Sequence, residues 1–170
     1  MILLNGRGQL GEELKTFNMF YGVTIYHTWN FLDKSKAVQE ECYNKLKNYI
    51  NSLKDLSVHF VFISTYTNIH SPYLTYKMYA EQLVLEVFKN ATVFRLPNLL
   101  GKGLCEKFKS GELKPDSGEV ELITAEDAVC DMMEILDDII TEGLDKKIVR
   151  IKGTVMPVKL LNDIIQFGAK

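Results

Sequence analysis

Apolar residues in this chain switch repeatedly between two periods. At Val58-His-Phe-Val-Phe-Ile they are nearly continuous, as in a parallel strand covered on both faces. Before and after that run they recur at helical spacing. Met1 to Asn5 is a short apolar run that meets glycines at once, and residues 12–20 follow as a helix with Leu14, Phe17 and Phe20 toward the core. Gly22 ends that helix, and the β-branched and aromatic segment from Val23 to Thr28 predicts a second strand. A helix is predicted over 33–53, with Val38, Cys42, Leu46, Tyr49 and Leu53 on its inner face. Pro72 opens the next helix, whose inner stripe is Tyr76, Ala80, Leu83, Val84 and Val87. A strand from Ala91 to Leu96 ends at Pro97. A glycine-bearing polar connection then runs from Gly101 to Gly118, with a short helix near Leu104 to Phe108. A strand at 120–123, an acidic helix over 125–140, a late strand at 147–151 and a closing helix over 158–167 complete the pattern. Strands alternating with helices predict an α/β fold with a mostly parallel sheet.

Composition narrows the reading. With 170 residues, 46% apolar and 25% charged, the chain has the size and character of one globular domain. A net charge of −2 with interspersed signs gives no footprint for nucleic acid or anionic lipid. No run is long enough to span a bilayer, and Met1-Ile-Leu-Leu-Asn lacks the marks of a signal peptide, so the expected location is the cytoplasm. Cys42, Cys105 and Cys130 are odd in number and lack metal-ligand spacing, which makes them small core residues and leaves no metal site expected.

Two segments carry chemistry. The first is Asn5-Gly6-Arg7-Gly8-Gln9-Leu10-Gly11, between the first strand and an amphipathic helix. Glycines there let the strand turn sharply and bring backbone N–H groups to a pyrophosphate, and Gly11 permits close helix–sheet packing. Glu12 stands where a Walker A loop needs lysine, which disfavours ATP or GTP. Selectivity for NAD is usually set by a carboxylate at the end of the second strand, but His27-Thr28-Trp29 offers none. Arg7 can instead pair with a 2′-phosphate, so NADP is expected ahead of NAD, with Arg7 as a solvated turn residue the alternative.

The second segment begins at Ser64-Thr65, the end of the apolar strand, and continues to Tyr73 and Lys77 one helical turn apart. A hydroxyl at a strand end beside such a pair can form a proton-transfer site. Tyr76 and Tyr79 compete by composition, but Tyr76 does not share the face of Lys77, and Tyr79 is expected to pack.

In these residues the chain resembles the extended short-chain dehydrogenase/reductase family, in its nucleotide-sugar branch. It is most similar in motif to the dTDP-4-dehydrorhamnose reductases, with UDP-sugar epimerases and GDP-fucose synthase as relatives. Phe62-Ile-Ser-Thr-Tyr resembles the family's I-S-T-D-Y strand end, and Ser71-Pro-Tyr-Leu-Thr-Tyr-Lys its Y-x-x-x-K helix start, with Glu81 beyond. Phe94-Arg-Leu-Pro-Asn-Leu-Leu-Gly resembles the segment that closes over the nicotinamide. Glu126-Asp127 sits where the family often has a V-x-D-x-A helix start, and Val158 to Ile165 resembles its late helix. The resemblance implies a Rossmann-like three-layer fold, reduced in length, with residues 1–170 as one truncated domain whose part 101–170 includes a minimal substrate-binding region. It implies Tyr73 as general acid or base, Lys77 as the charge that favours tyrosinate and binds the nicotinamide ribose, and Thr65 as a donor to the substrate oxygen. Ser64 is a cofactor-pocket or structural residue. Asn5, Gly6, Arg7, Gly8, Gln9, Leu10, Gly11, Thr28, Pro97 and Asn98 are the expected cofactor contacts, and the helices over 33–53 and 72–88 a possible homodimer face. The expected activity is NADP-dependent reduction or epimerisation at the keto group of a nucleotide-activated sugar.

The chain departs from the family in four ways. Asn5 occupies the first glycine position, which Asn tolerates because it accepts left-handed geometry. The strand ending in N-A-A or H-x-A-A that lines the cofactor cleft is not evident, the step from Thr65 to Tyr73 is short, and little chain follows Gly101. A non-catalytic dinucleotide-binding or interaction protein of the same ancestry is therefore the alternative, and an open groove between Gly8 and Tyr73 separates the two.

Overall fold

The computed structural model describes residues 3–5, 8–16, 22–53, 56–66, 70–109, 111, 113–114 and 116–167. In chain order its elements are β1 (Leu3–Asn5), α1 (Gln9–Leu14), β2 (Val23–Tyr26), α2 (Lys36–Leu53), β3 (His59–Thr65), α3 (Pro72–Val87) and β4 (Ala91–Leu96). There follow β5 (Asn98–Leu99), α4 (Lys102–Lys109), β6 (Glu119–Ile123), α5 (Ala125–Thr141), β7 (Lys146–Arg150), β8 (Thr154–Pro157) and α6 (Val158–Phe167).

Five strands form one parallel sheet in the order β1-β2-β3-β4-β7. Alternation along β2, β3 and β4 sends side chains to opposite faces, and both faces of these three strands are buried. Val23, Ile25, Val61, Ile63, Phe94 and Leu96 meet α1 and α5 through Leu10, Leu14, Met132 and Leu136. Tyr26, Phe60, Phe62, Ala91 and Val93 meet α2 and α3 through Leu46, Ile50, Ala80 and Val84. The result is the expected three-layer α/β arrangement.

Several expectations change in detail. The inner face of α2 runs through Gln39, Cys42, Leu46, Ile50 and Leu53, one residue out of phase with the predicted stripe at two positions. The buried residues of α3 include Lys77 and Glu81, while Val87 is exposed. Of the cysteines only Cys42 is buried. Cys105 is half-buried and Cys130 is exposed. Helix α1 starts earlier than predicted and has six residues, and Phe17 and Phe20 lie outside the described residues.

The position of β2 matters most. It was expected to be the strand whose end meets the cofactor's ribose, with the family's cleft-lining strand missing. Instead β2 pairs with β1 on one side and β3 on the other, and is itself the strand between them. In a doubly wound dinucleotide-binding sheet the first strand is central, flanked on its far side by the second and third. Here, among the described residues, β1 pairs with β2 alone.

A second sheet pairs β5 with β6 in parallel and β6 with β8 in antiparallel fashion. Strands β5 and β8 are too short to show a period and were not predicted. With α4 and α6 they enclose a small core of Leu104, Val120, Leu122, Val158 and Leu161. The chain enters β8 past Gly153, whose N–H donates to Glu121 Oε1 at 2.8 Å. Glu121 also pairs with Arg150 at 2.5 Å, and these two partners hold its carboxyl below the usual range. A Cβ on Gly153 would stand 2.3 Å from the Leu122 carbonyl oxygen, which is fixed in β6. Gly153→Ala is therefore expected to cost about 3 kcal/mol. The check is a lower midpoint in urea unfolding at unchanged slope.

Candidate functional site

The four strands β1 to β4 end at one edge of the parallel sheet, and a cleft of about 370 Å³ opens there. Open parallel sheets bind ligands outside the carboxyl ends of their strands. One wall comes from the turn after β1. Gly8 takes φ +98°, a conformation that favours glycine, and leads into α1. Gly8, Gln9 and Leu10 line the cleft. Gln9 Nε2 reaches the Leu100 carbonyl oxygen at 3.4 Å, and its side chain occupies the space that a Cβ on Gly101 would need. The turn thus touches the segment that closes the opposite side. Gly11 is buried on the inner face of α1, where it allows the helix to pack, and does not line the cleft.

The other wall is the end of β3 and the start of α3. Ser71 caps α3 by accepting from the Leu74 N–H, and Pro72 follows at the first helical position. That start places Tyr73 and Lys77 one turn apart, and both line the cleft with Ser64 and Thr65. The Lys34 ammonium lies 6.0 Å from the Tyr73 ring centroid. Tyr76 and Tyr79 turn away, stacking edgewise on each other and on Tyr43 of α2. Pro97 and Asn98, just after β4, line the cleft as well. Asn98 is engaged by Lys107, whose ammonium donates to Oδ1, and by the Glu121 carbonyl oxygen.

Lys77 is 4% exposed. Its ammonium donates to the Ile63 carbonyl oxygen at 2.7 Å and lies 4.6 Å from the Trp29 ring centroid and 4.7 Å from that of Phe62. Burial pushes its pKa down to about 7, with the Glu81 carboxylate one turn later opposing the shift. Glu81 is itself buried and receives Arg95 from β4, with Nη2 at 2.5 Å and Nε at 3.1 Å. Trp29 is held in turn by Gln39. This fully buried amide accepts from Trp29 Nε1 at 2.7 Å and donates to the Asn30 and Asp33 carbonyl oxygens.

Two buried polar atoms at the cleft have no hydrogen-bond partner, Ser64 Oγ and His27 Nε2. His27 follows β2 directly, beside the Ile63 position of β3. Burial, then the nearby Lys77 charge, push its pKa down to about 4, so the ring is neutral near pH 7. Neither Trp29, His27 nor Lys34 was expected at this site. What signals His27 in the sequence is its place after a β-branched strand, a position where a polar residue ends the sheet at a cleft. Thr28 is exposed and does not line the cleft. Asn5 closes β1, and Gly6 and Arg7 lie outside the described residues. Among the described residues no cluster of His, Cys, Asp and Glu could hold a metal ion, and no helix is long and apolar enough to cross a membrane.

The buried ammonium sets a pH dependence. Lys77 has a folded pKa near 7 against 10.5 when solvated, so between those values the unfolded chain binds the extra proton and stability rises with pH. Below about pH 7 the full cost of burying the charge is present. Lys77→Met is expected to stabilise the fold by about 2 kcal/mol at pH 6, with the difference from the native chain vanishing as pH approaches 10.5. Urea unfolding of both proteins at pH 6, 8 and 10 measures it, and a difference that grows with pH contradicts the assignment.

No protein-family model matches the chain, and no curated protein matches it. Solved structures do. A dTDP-4-dehydrorhamnose reductase of Clostridium acetobutylicum is 15% identical with a TM-score of 0.71, covering 97% of this chain and 79% of that one. The dTDP-4-dehydrorhamnose reductase of Bacillus anthracis, solved in complex with NADP, is 13% identical with a TM-score of 0.69, covering 98% and 79%. A UDP-galactose 4-epimerase is 14% identical with a TM-score of 0.65, covering 93% of this chain, which spans 64% of that enzyme's length. At these identities the likeness is one of fold. The chain has an α/β Rossmann-like three-layer fold with a parallel central sheet, of the kind that short-chain dehydrogenases and nucleotide-sugar epimerases share.

Proposed function

We propose that this protein is a nicotinamide-linked reductase or epimerase-like enzyme acting on the keto group of a nucleotide-activated sugar. The observation that carries the reading is the open cleft between Gly8 and Tyr73, which brings the glycine turn, the strand-end hydroxyls and the Tyr73–Lys77 pair onto one cavity. Gly8, Gln9 and Leu10, with Asn5, Gly6 and Arg7 on the same turn, would hold the cofactor on one side, and Pro97 and Asn98 on the other, while Gly11 lets α1 pack behind the turn. The unpartnered Ser64 Oγ and His27 Nε2 fit a ligand that brings both a hydrogen-bond acceptor and a donor.

When bound, the nicotinamide supplies or removes hydride at the sugar carbon. Tyr73 gives its phenolic proton to the carbonyl oxygen, or takes it back in the reverse direction, and the Thr65 hydroxyl donates to the same oxygen. The Lys77 ammonium lowers the cost of tyrosinate. It is charged only below its folded pKa, which ties its contribution to neutral and lower pH. The outer side of α3, where Met78 and Tyr79 are exposed, is the surface for the homodimer implied by the resemblance. The sequence preference for NADP rests on Arg7 and on a missing carboxylate, and β2 does not stand where that carboxylate would discriminate, so NADP and NAD are both candidates. A non-catalytic binding protein is the second reading, favoured by the ammonium of Lys77 being committed to the Ile63 carbonyl.

Trp29, the single tryptophan, lines the cleft and reports occupancy. Titration with NADPH and NADH is expected to quench its emission in both the native chain and Tyr73→Phe. NADPH oxidation with keto-sugar nucleotides is expected to fall by about 100-fold or more in Tyr73→Phe. Equal rates for the two proteins would remove Tyr73 from the chemistry. Binding without turnover on any keto sugar supports the non-catalytic reading.

A further inference from the structure

The sheet order and the cleft's size together constrain how much of a dinucleotide this protein can hold. A doubly wound sheet binds a dinucleotide with two units, one on each side of its central first strand, and the far unit carries the adenosine. Here the chain from β1 to β3 contains only α1, β2 and α2 among the described residues, and β2 lies on the inner side of β1. The second unit is not built from this stretch. The residues lining the cleft follow the same asymmetry. They come from the turn after β1, the ends of β2, β3 and β4, the start of α3, and β5 and α4. Among the described residues, the lining of the cleft therefore runs from the glycine turn inward, toward the second sheet.

Its volume agrees. About 370 Å³ is near the lower end of the roughly 300–1,000 Å³ that ligand pockets span. That suits one nucleotide unit better than two joined through a pyrophosphate. The unsatisfied polar atoms also lie on this inner part. Ser64 Oγ is on a residue 5% exposed, at the end of β3, and His27 Nε2 is on the residue that follows β2, both lining the cleft. A buried hydroxyl and a neutral imidazole without partners cost free energy until a ligand satisfies them. The neighbouring side chains, Tyr73, Lys77 and Trp29, are those that would surround a nicotinamide and its ribose. Lys34 and Lys107 add positive charge to the lining, suited to a phosphate.

We infer that the cleft holds the nicotinamide mononucleotide half of the cofactor and leaves the adenylate half in solvent. This rests on the nicotinamide-linked reading above and specifies which part of the ligand the protein recognises. The adenine, its ribose and any 2′-phosphate then contribute little to affinity, and reduced nicotinamide mononucleotide serves as well as the complete dinucleotide.

Quenching of Trp29 in the full chain decides the matter, with reduced nicotinamide mononucleotide, NADH and NADPH as ligands and ADP-ribose as competitor. The three dissociation constants are expected to agree within about threefold, and millimolar ADP-ribose to displace none of the ligands. His27→Phe, which removes the imidazole acceptor, is expected to weaken all three alike. Two results would overturn the inference while leaving the proposed function standing. One is binding of the mononucleotide about 100-fold weaker than of NADPH. The other is recognition of the adenylate half, read either as competitive displacement by ADP-ribose or as a tenfold preference for NADPH over NADH that disappears in Arg7→Ala. If no nicotinamide ligand affects Trp29, the nicotinamide-linked function itself falls, and this inference with it.

Discussion

Burial of β3 on both faces is the constraint from which the rest of the molecule follows. Phe60 and Phe62 face α2 and α3, and Val61 and Ile63 face α1 and α5, with none of the four more than 6% exposed. A strand so placed has to be interior, and its hydrogen-bonding edges are filled by β2 and β4 in parallel. Parallel pairing then brings the strand ends to a common edge, where backbone groups run out of ladder partners. The cleft is the space left at that edge. Even the location of the Lys77 ammonium derives from β3, since it is held by the Ile63 carbonyl oxygen and the Phe62 ring.

Keeping charge and amide groups in such a core requires that each find a partner. Glu81 and Arg95 tie α3 to β4, and their mutual attraction offsets part of the desolvation cost because Arg95 stays partly solvated. Gln39 does comparable work for a loop. Its amide connects the Trp29 ring to the Asn30 and Asp33 carbonyls, so the segment after β2 is shaped from beneath by a residue on α2. The aromatic ring beside Lys77 is therefore fixed by a helix that contributes nothing to the cleft lining itself.

The elements were legible in the sequence where burial was one-sided or continuous. Strand β3, α5 and the closing helix α6 follow directly from periodicity, and Thr124 capping Asp127 confirms the start of α5 where the acidic pair stands. Polar residues inside helices were not legible. Gln39, Lys77 and Glu81 are absent from the predicted inner faces of their helices, because a hydropathy pattern registers the cost of burying them and not the partner that removes it. Strand neighbours were also invisible. Periodicity states which faces of a strand are covered, not which strand lies alongside, so β2 was assigned the outer place when it occupies the inner one. Ser64, Thr65, Tyr73 and Lys77, the candidates that the sequence names, line one cleft with Gly8 to Leu10. His27 and Trp29 were passed over because their position was judged by the acid it lacked.

The sheet order has a consequence for how the molecule is made. Each of β2, β3 and β4 pairs with the strand immediately before it in the chain, so the sheet grows along a single edge as it is synthesised. A doubly wound sheet must instead return to its first strand after two have been laid on the far side, holding that edge open in the meantime. Here only β7 waits, and it docks on β4 once the second sheet's β5 and β6 have passed between them in sequence. Pairings between sequential neighbours close shorter loops and lower the entropic barrier to assembly. The same strand order thus gives the growing chain a sheet that each new strand can join as it emerges.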